Sequence, residues 1–409
     1  MKAAKEADIV PADHDESISQ MEPLLLAESN VQRPSLAELA FELAKKSSAF
    51  RSALPHNQIQ ALAGLVRSMN CYYSNLIEGH NTHPVDIERA LQSDYSTDSK
   101  KRDLQMEAKA HIAVQAWVDE GGLRDRSSVT QAGITELHRR FCEQLPDELL
   151  WIEDPASKTR VRVIPGSFRK QHVQVGRHVP VCAGAIPRFM ERFEQVYSRL
   201  GKAECVLSAA AAHHRLLWIH PFLDGNGRVA RLMSHAMLLD SLDTGSVWSV
   251  ARGLARRVDE YRAHLSHCDQ SRKDSRDGRG PLSEKALTGF TRFFLEVCLD
   301  QVAFMVSLVQ PEKLRTRVLM WAEEEIRLGT LPANSGSILE AILYRGELPR
   351  GEADRVIGTG ARQARRITSA LLEKGVLTSE DSRAPLRLAF PATLAGRWLP
   401  GLFPEYGEN

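Results

Sequence analysis

The chain has 409 residues, a length that suggests two to four domains, and its 43% hydrophobic and 26% charged content is ordinary for a soluble globular protein. A formal net charge of +1 argues against a global attraction to nucleic acid or to an acidic surface. No apolar run approaches the roughly 18 residues that span a membrane, and residues 1–20 lack the apolar core of a signal peptide. Six scattered cysteines without a Cys-x-x-Cys pair fit reduced thiols, so we expect a cytoplasmic protein.

A helical region follows a polar N-terminus. Residues 1–34 are polar and acidic and predict a flexible arm, and residues 35–110 then form a helical N-terminal region. Apolar side chains recur at helical steps from Ser35, which with Glu38 predicts a capping box. Further helices are predicted at about 57–75, from Pro84, at about 103–120 and at about 130–142.

One segment in this region carries a possible functional pattern, Ser74-Asn-Leu-Ile-Glu78-Gly79. Ser74 and Glu78 are four residues apart and share a face of a helix, and Gly79 is suited to the position that follows a helix end. A glutamate near a helix C-terminus is unfavourable next to the helix dipole, so a guanidinium from elsewhere is predicted to compensate it.

The next part of the chain, residues 111–310, predicts a second domain that is helical apart from one hairpin. Val161, Val163, Val173 and Val175 alternate with polar residues around a Pro-Gly-Ser turn, which predicts a hairpin, and we refer to residues 166–180 as the flap. Helical periodicity returns at about residue 186 and continues to about residue 310.

The most informative stretch is His220-Pro-Phe-Leu-Asp-Gly-Asn-Gly-Arg-Val-Ala-Arg231. Pro221 predicts a helix break at His220, and the glycines around Asn226 allow close backbone approach before a new helix, a combination that binds anions. His220 has a near-neutral unperturbed pKa and suits proton abstraction. A lone carboxylate beside phosphates, here Asp224, is a typical Mg²⁺ ligand, and the two arginines suit phosphate oxygens. This pattern predicts a phosphate site with a histidine at its mouth.

This stretch resembles the Fic family motif, His-x-Phe-x-Asp/Glu-Gly-Asn-Gly-Arg-x-x-Arg, at every defined position, and the resemblance extends over about residues 35–310. It implies a mainly α-helical Fic core that transfers AMP from ATP, with Mg²⁺, to a Ser, Thr or Tyr hydroxyl of a target protein or of the chain itself. His220 is the implied base and Asp224 the implied metal ligand. The implied nucleotide-binding residues of the motif are Gly225, Asn226, Gly227, Arg228, Val229, Ala230 and Arg231.

Three further segments have roles implied by the same resemblance. Ser74, Glu78 and Gly79 resemble the inhibitory motif of Fic proteins, in which the glutamate pairs with the second motif arginine, here Arg231, and ATP then binds unproductively. The flap is implied to clamp the target protein by strand addition. Tyr261 stands where relatives contact adenine, although a core tyrosine fits equally well. The residues implied to line the nucleotide side of the flap are Val175, Gly176, Arg177 and His178.

Residues 311–409 predict a winged-helix-like domain, because three helices precede a pair of strands. Arg362, Arg365 and Arg366 lie on the third of these helices, where winged helices read DNA, but Glu352 and other acidic residues interrupt the positive field. DNA binding and protein association therefore both stay open. A homodimer is a further possibility, since such proteins commonly dimerise.

Two other functions also stay open. The same site, with Glu78 orienting a water, suits removal of AMP from a modified protein. A DNA-binding regulator whose Fic core only senses nucleotide is the alternative of a different class. His213 and His214 are adjacent and point to different helix faces, so we expect structural roles for both.

Overall fold

The computed structural model describes residues 11–124, 127–153 and 158–403, and it is mainly helical, as the sequence predicts. Within these residues, the strands form one two-stranded hairpin and one three-stranded sheet.

The N-terminal segment packs onto the helical body. Met21, Leu24 and Leu26 are buried, and the Tyr197 hydroxyl donates a hydrogen bond to the Leu24 carbonyl at 2.7 Å. The prediction of a flexible arm is therefore wrong for residues 11–34, because three of their apolar side chains are buried against the body.

Four helices form the N-terminal region: α1 (Arg33–Ser52), α2 (His56–Ile77), α3 (Pro84–Leu91) and α4 (Ser99–Trp117). The predicted helices are thus present. The capping box at Ser35 is wrong, since α1 begins two residues earlier and the Ser35 hydroxyl donates to the Gln32 carbonyl at 2.8 Å. α2 and α4 pack against each other, and they are the helices of this region that matter most for the site.

The predicted hairpin forms from other residues than expected. After α5 (Gln131–Cys142), β1 (Trp151–Glu153) pairs with β2 (Arg160–Arg162) in antiparallel register. Pairing of Val161 and Val163 with Val173 and Val175 is wrong, because the described part of the flap contains only one bridge, between Val175 and His178. The Arg169 backbone N–H donates to the Pro221 carbonyl at 2.9 Å, which ties the flap to the 220–231 segment instead of to β2.

Six helices complete the central body: α6 (Ile186–Tyr197), α7 (Lys202–Ile219), α8 (Asn226–Leu242), α9 (Ala251–Arg256), α10 (Val258–Cys268) and α11 (Glu284–Leu308). α7 and α8 pack against each other and are almost wholly buried. The buried alanines at 209–212 leave room for neighbouring helices to approach α7 closely. The loop between α7 and α8 is therefore fixed at both ends by the core.

The C-terminal part contains the predicted helices and strand pair. Its helices are α12 (Pro311–Arg327), α13 (Ser335–Arg345), α14 (Ala353–Ile357), α15 (Ala361–Glu373) and α16 (Ala392–Trp398). Its strands are β3 (Glu347–Leu348), β4 (Leu377–Thr378) and β5 (Leu386–Leu388), in the order β3-β5-β4. The assignment of this unit as a winged helix, and the domain boundaries, stay predictions.

Among the described residues, no single helix is long and apolar enough to cross a membrane. α11 and α12 satisfy that criterion only as a pair, with a bend of 53° between them.

The chain returns to the N-terminal region after α16. The Tyr73 hydroxyl on α2 donates to the Leu402 carbonyl at 3.1 Å, and the rings of Tyr72 and Phe403 meet edge to face with centroids 5.7 Å apart. The Arg252 guanidinium also donates to the Gly401 carbonyl at 2.9 Å. Residues 401–403 therefore help to hold α2 in place.

Tyr73→Phe tests this contact. Loss of the buried hydroxyl leaves the Leu402 carbonyl without its partner, so we expect the free energy of unfolding to fall by about 1 kcal/mol in chemical denaturation. Tyr344→Phe is the matched control, because the Tyr344 side chain is 92% exposed. Equal losses in the two variants would contradict this role for residues 401–403.

Candidate active site

The loop between α7 and α8 has the geometry that its sequence predicts. α7 ends at Ile219, and His220 takes a left-handed conformation with φ of 51° before Pro221. Gly225 has φ of 81°, a conformation that favours glycine, and α8 begins directly after it. Phe222 is fully buried and anchors the loop in the core. The loop thus places His220 next to the N-terminus of α8.

The Asn226 side chain closes the loop. Its side-chain oxygen accepts from the Phe222 backbone N–H at 3.0 Å, and its side-chain nitrogen donates to the Phe222 carbonyl at 2.8 Å. Asn226 thus shapes the site, and its own contact with nucleotide stays a prediction.

His220 is held as a neutral imidazole. Burial lowers its pKa to about 4, and the nearby Arg169 charge acts in the same direction. Arg169 is itself buried and donates from Nε to the His220 carbonyl at 2.8 Å and from Nη2 to the Val181 carbonyl at 2.6 Å. At neutral pH His220 is therefore able to accept a proton, and Arg169 fixes both its backbone and the end of the flap.

Arg228 projects from the first turn of α8 and is almost fully buried. Its Nη2 lies 3.2 Å from Asp224 Oδ2, and its Nη1 lies 3.4 Å from Glu107 Oε2 on α4. Two of its buried nitrogens, Nε and Nη1, have no hydrogen-bond partner among the described residues. A buried guanidinium with unused donors fits an anionic ligand at this position.

Arg231 lies one turn further along α8 and forms the predicted contact with Glu78. Its Nη2 contacts Glu78 Oε1, and its Nε donates to the Ser74 hydroxyl at 2.8 Å. Burial alone would raise the pKa of Glu78, but the charge and hydrogen bond of Arg231 lower it below its usual value. α2 ends before Glu78 and Gly79 follows with φ of 87°, so the helix end also forms as predicted.

Gly227 allows the Glu78 carboxylate to lie against the start of α8. A Cβ atom at Gly227 would be 2.3 Å from Glu78 Oε1 and 3.2 Å from Arg231 Nη1. The carboxylate of Glu78 thus lies where α8 would receive an anion, at its N-terminus and beside Arg231.

Asp224 is the carboxylate that suits a metal. Its side chain is 52% exposed, and the described residues contain no group of three or more His, Cys, Asp or Glu that could hold a metal by themselves. Mg²⁺ is commonly held by one or two carboxylates together with substrate phosphates and waters, so Asp224 fits a metal that arrives with a nucleotide.

The flap turn lies at the surface. Val175, Gly176 and Arg177 are exposed, and the Val175 and His178 backbones are paired with each other. The His178 ring nitrogen Nε2 lies 2.7 Å from the Trp218 carbonyl at the end of α7. This bond keeps the flap turn near the loop between α7 and α8 (residues 220–225), which we call the catalytic loop. Contact of the flap turn with nucleotide stays a prediction.

Three other predicted nucleotide-binding residues are buried. Tyr261 is only 2% exposed and its hydroxyl is 2.7 Å from His213 Nε2, so its ring lies in the core, which is one of the two roles that the sequence left open. The side chains of Val229 and Ala230 are buried on α8, and their contact with nucleotide stays a prediction. His213 and His214 are buried in separate hydrogen-bond groups, as expected for structural residues.

Sequence reasoning missed three side chains around the loop. His138 on α5 stacks on Phe222 with ring centroids 3.9 Å apart and accepts from the Gly166 backbone N–H at 2.9 Å. Arg169 was part of the flap pattern but had no role assigned to it, and Glu107 had no signal at all. Each acts over a long sequence separation, which local spacing does not reveal.

The comparisons with known proteins agree with this geometry. A model of the Fic/DOC family matches residues 128–238, which include α5, the flap and the catalytic loop. The similarity to the Fic/DOC family thus covers the segment that holds His220, Arg228 and Arg231. A Fic family protein from Desulfovibrio desulfuricans G20 has the same fold, with a TM-score of 0.52 over 89% of this chain and 98% of that one, at 15% identity.

Proteins from flies are also similar to part of this chain. The chain is 30% identical over 170 residues to the protein named "Protein adenylyltransferase Fic" in Drosophila erecta and 31% identical to the one in Drosophila grimshawi. These matches cover 41% of this chain and 31% and 32% of the two relatives. The chain thus spans about a third of the length of the relatives that it matches.

Ser74→Ala tests how Arg231 is held. The variant removes a buried hydroxyl that accepts from a guanidinium, so we expect the free energy of unfolding to fall by about 2 kcal/mol. Ser68→Ala is the control, since Ser68 is buried on the same helix and has no hydrogen bond among the described side chains. A loss no larger than that of the control, in denaturant titration, would show that Ser74 does not hold Arg231.

Proposed function

We propose that the chain is a protein adenylyltransferase, which transfers AMP from ATP to a Ser, Thr or Tyr hydroxyl of a target protein or of itself. The observation that carries the proposal is the loop before α8, where a half-buried, neutral His220 lies next to a helix N-terminus that presents Arg228 and Arg231. The names of the fly relatives support it.

The reaction follows from these residues. The acceptor hydroxyl oxygen forms a bond to the α-phosphorus of ATP, its proton passes to His220, and the bond from that phosphorus to the β-phosphate oxygen breaks to release pyrophosphate. Arg228 and Arg231 neutralise the charge that develops on the leaving group. Mg²⁺ held by Asp224 would supply further charge neutralisation. The flap, fixed by Arg169, would position the target backbone.

We also propose that the enzyme restrains itself. The Glu78 carboxylate occupies the guanidinium that the outer phosphate needs, and it does so through a charge-assisted contact. ATP that binds while this pair is closed cannot place its phosphates on Arg231, so the α-phosphate is not presented to His220. Ser74 would hold Arg231 beside Glu78, and Gly79 would end the helix so that Glu78 keeps this position.

Removal of AMP from a modified protein is the competing reaction at this site. There Glu78 would orient a water for attack on the phosphodiester, so the same residue that restrains transfer would be required for removal. The observation that supports this reaction is the half-exposed carboxylate of Glu78, which lies beside the loop.

The proposed location is the cytoplasm. All six cysteines are buried, and all six are free thiols. Free thiols fit a reducing compartment.

Labelling of protein by α-³²P-ATP with Mg²⁺ tests the transferase and its restraint together. We expect Glu78→Gly to incorporate about tenfold more label than the wild type, since one charge-assisted contact of about 1.4 kcal/mol no longer holds Arg231. Glu78→Gly/His220→Ala is the control, and we expect its labelling to fall by about 10²-fold or more, because the base is gone.

Label in neither Glu78→Gly nor the wild type would contradict the transferase. In that case AMP-modified protein is the next substrate, and release of AMP by the wild type but not by Glu78→Gly would favour the removal reaction.

We further propose that the C-terminal unit is a winged helix that binds nucleic acid. Arg362, Arg365 and Arg366 are exposed on α15, and no ion pair engages them among the described residues. Two acidic residues of this unit, Glu352 and Glu380, are paired with Arg345 at 3.0 Å and with Arg387 at 2.6 Å. Three exposed arginines on one helix suit phosphate groups.

Binding to duplex DNA at several salt concentrations tests this surface. We expect the triple variant Arg362→Ala/Arg365→Ala/Arg366→Ala to bind more weakly and to lower the salt slope by roughly 0.9 for each lost phosphate contact. The control, Lys100→Ala/Lys101→Ala/Arg102→Ala, removes the same charge from exposed positions on α4. Equal effects of the two variants, or no binding by the wild type, would contradict the proposal and favour protein association.

A further inference from the structure

Glu107 on α4, a largely buried carboxylate, links the inhibitory segment (residues 75–80) to Arg228 at the start of α8. Its Oε2 lies 3.0 Å from His80 Nδ1 and 3.4 Å from Arg228 Nη1. The Glu107 side chain is largely buried, so its charge has to be balanced by these two neighbours. Burial alone would raise the pKa of Glu107, but the bond with His80 and the charge of Arg228 lower it below its usual value.

His80 lies only two residues after Glu78, and its backbone closes the end of α2. The His80 backbone N–H donates to the Asn75 carbonyl at 2.9 Å, and the Gly79 backbone N–H donates to the Leu76 carbonyl at 3.0 Å. The Arg262 guanidinium donates to the Ile77 carbonyl at 2.8 Å. These bonds fix the backbone of residues 75–80 from one side, and the His80 ring fixes it to α4 from the other.

The contact of His80 with α4 matters because Glu78 itself contacts α8 only through its side chain. The phosphates of ATP compete with Glu78 for Arg231, and the carboxylate has to swing away for them to bind. If His80 holds the backbone in place, the Glu78 carboxylate returns to Arg231. If the backbone is not held, the carboxylate is able to leave Arg231.

We propose that Glu107 anchors the inhibitory segment by holding His80, so that both residues position Glu78 against Arg231. The inference rests on the proposed self-restraint of the transferase. Neither residue is catalytic, since each acts through Glu78. The contact of Glu107 with Arg228 is separate from this role, and the His80 variant leaves it in place.

The test combines His80→Ala and Glu107→Gln with the wild type and with Glu78→Gly. We expect each variant to raise labelling of the wild-type protein by about threefold to tenfold, the effect of losing one partly buried ionic contact. In the Glu78→Gly background His80→Ala should change labelling by less than about twofold, because the group that it positions is absent. Asp103→Asn, one turn earlier on α4 and with no ion pair among the described residues, is the matched control.

Hydrogen exchange of the peptide that contains residues 75–80 gives a readout that needs no activity. We expect His80→Ala and Glu107→Gln, but not Asp103→Asn, to speed exchange of the amides of residues 78–80 while the core helices keep their protection.

The outcomes separate the two proposals. Label in Glu78→Gly with unchanged labelling and unchanged exchange in His80→Ala would overturn the anchor and leave the transferase intact. Equal changes of labelling in both backgrounds would assign His80 a structural role only. No label in any variant would contradict the transferase, and the exchange measurement would still decide whether Glu107 anchors the segment.

Discussion

The site depends on one buried cation, the guanidinium of Arg231. A charge this far from water needs an anion close by, since an unpaired buried charge costs several kcal/mol. The chain supplies Glu78 for this purpose, and a nucleotide would supply a phosphate. Because both anions need the same guanidinium, the ion pair that keeps Arg231 satisfied in the absence of ligand also competes with the ligand.

The fold holds the two halves of this pair with different rigidity. Arg231 belongs to α8, one of the two most buried helices, whereas Glu78 lies at the end of α2. Contacts from distant parts of the chain hold α2, including Tyr73 with Leu402 and His80 with Glu107. Residues 401–403 thus contact the helix that ends just before Glu78.

The features that sequence reasoning predicted well are local ones. The helix break at His220, the positive φ of Gly225 and the helix end at Gly79 each follow from a few adjacent residues. The Glu78–Arg231 contact joins distant residues, and only the family resemblance made it predictable. The differences concern side chains with two plausible partners: Tyr261 joins the core, and the flap valines find no strand. Glu107 and His138 carry no local pattern, because their roles arise only when α4 and α5 pack against α8.

The central claim is that Glu78 holds the guanidinium that the outer phosphate of ATP needs. Crystal structures of the wild type and of Glu78→Gly with Mg²⁺ and a non-hydrolysable ATP analogue test it most directly. We predict that the terminal phosphate contacts Arg231 in Glu78→Gly, with the α-phosphate facing His220, and that Arg231 stays with Glu78 in the wild type. The same phosphate contacts on Arg231 in both structures would contradict the account.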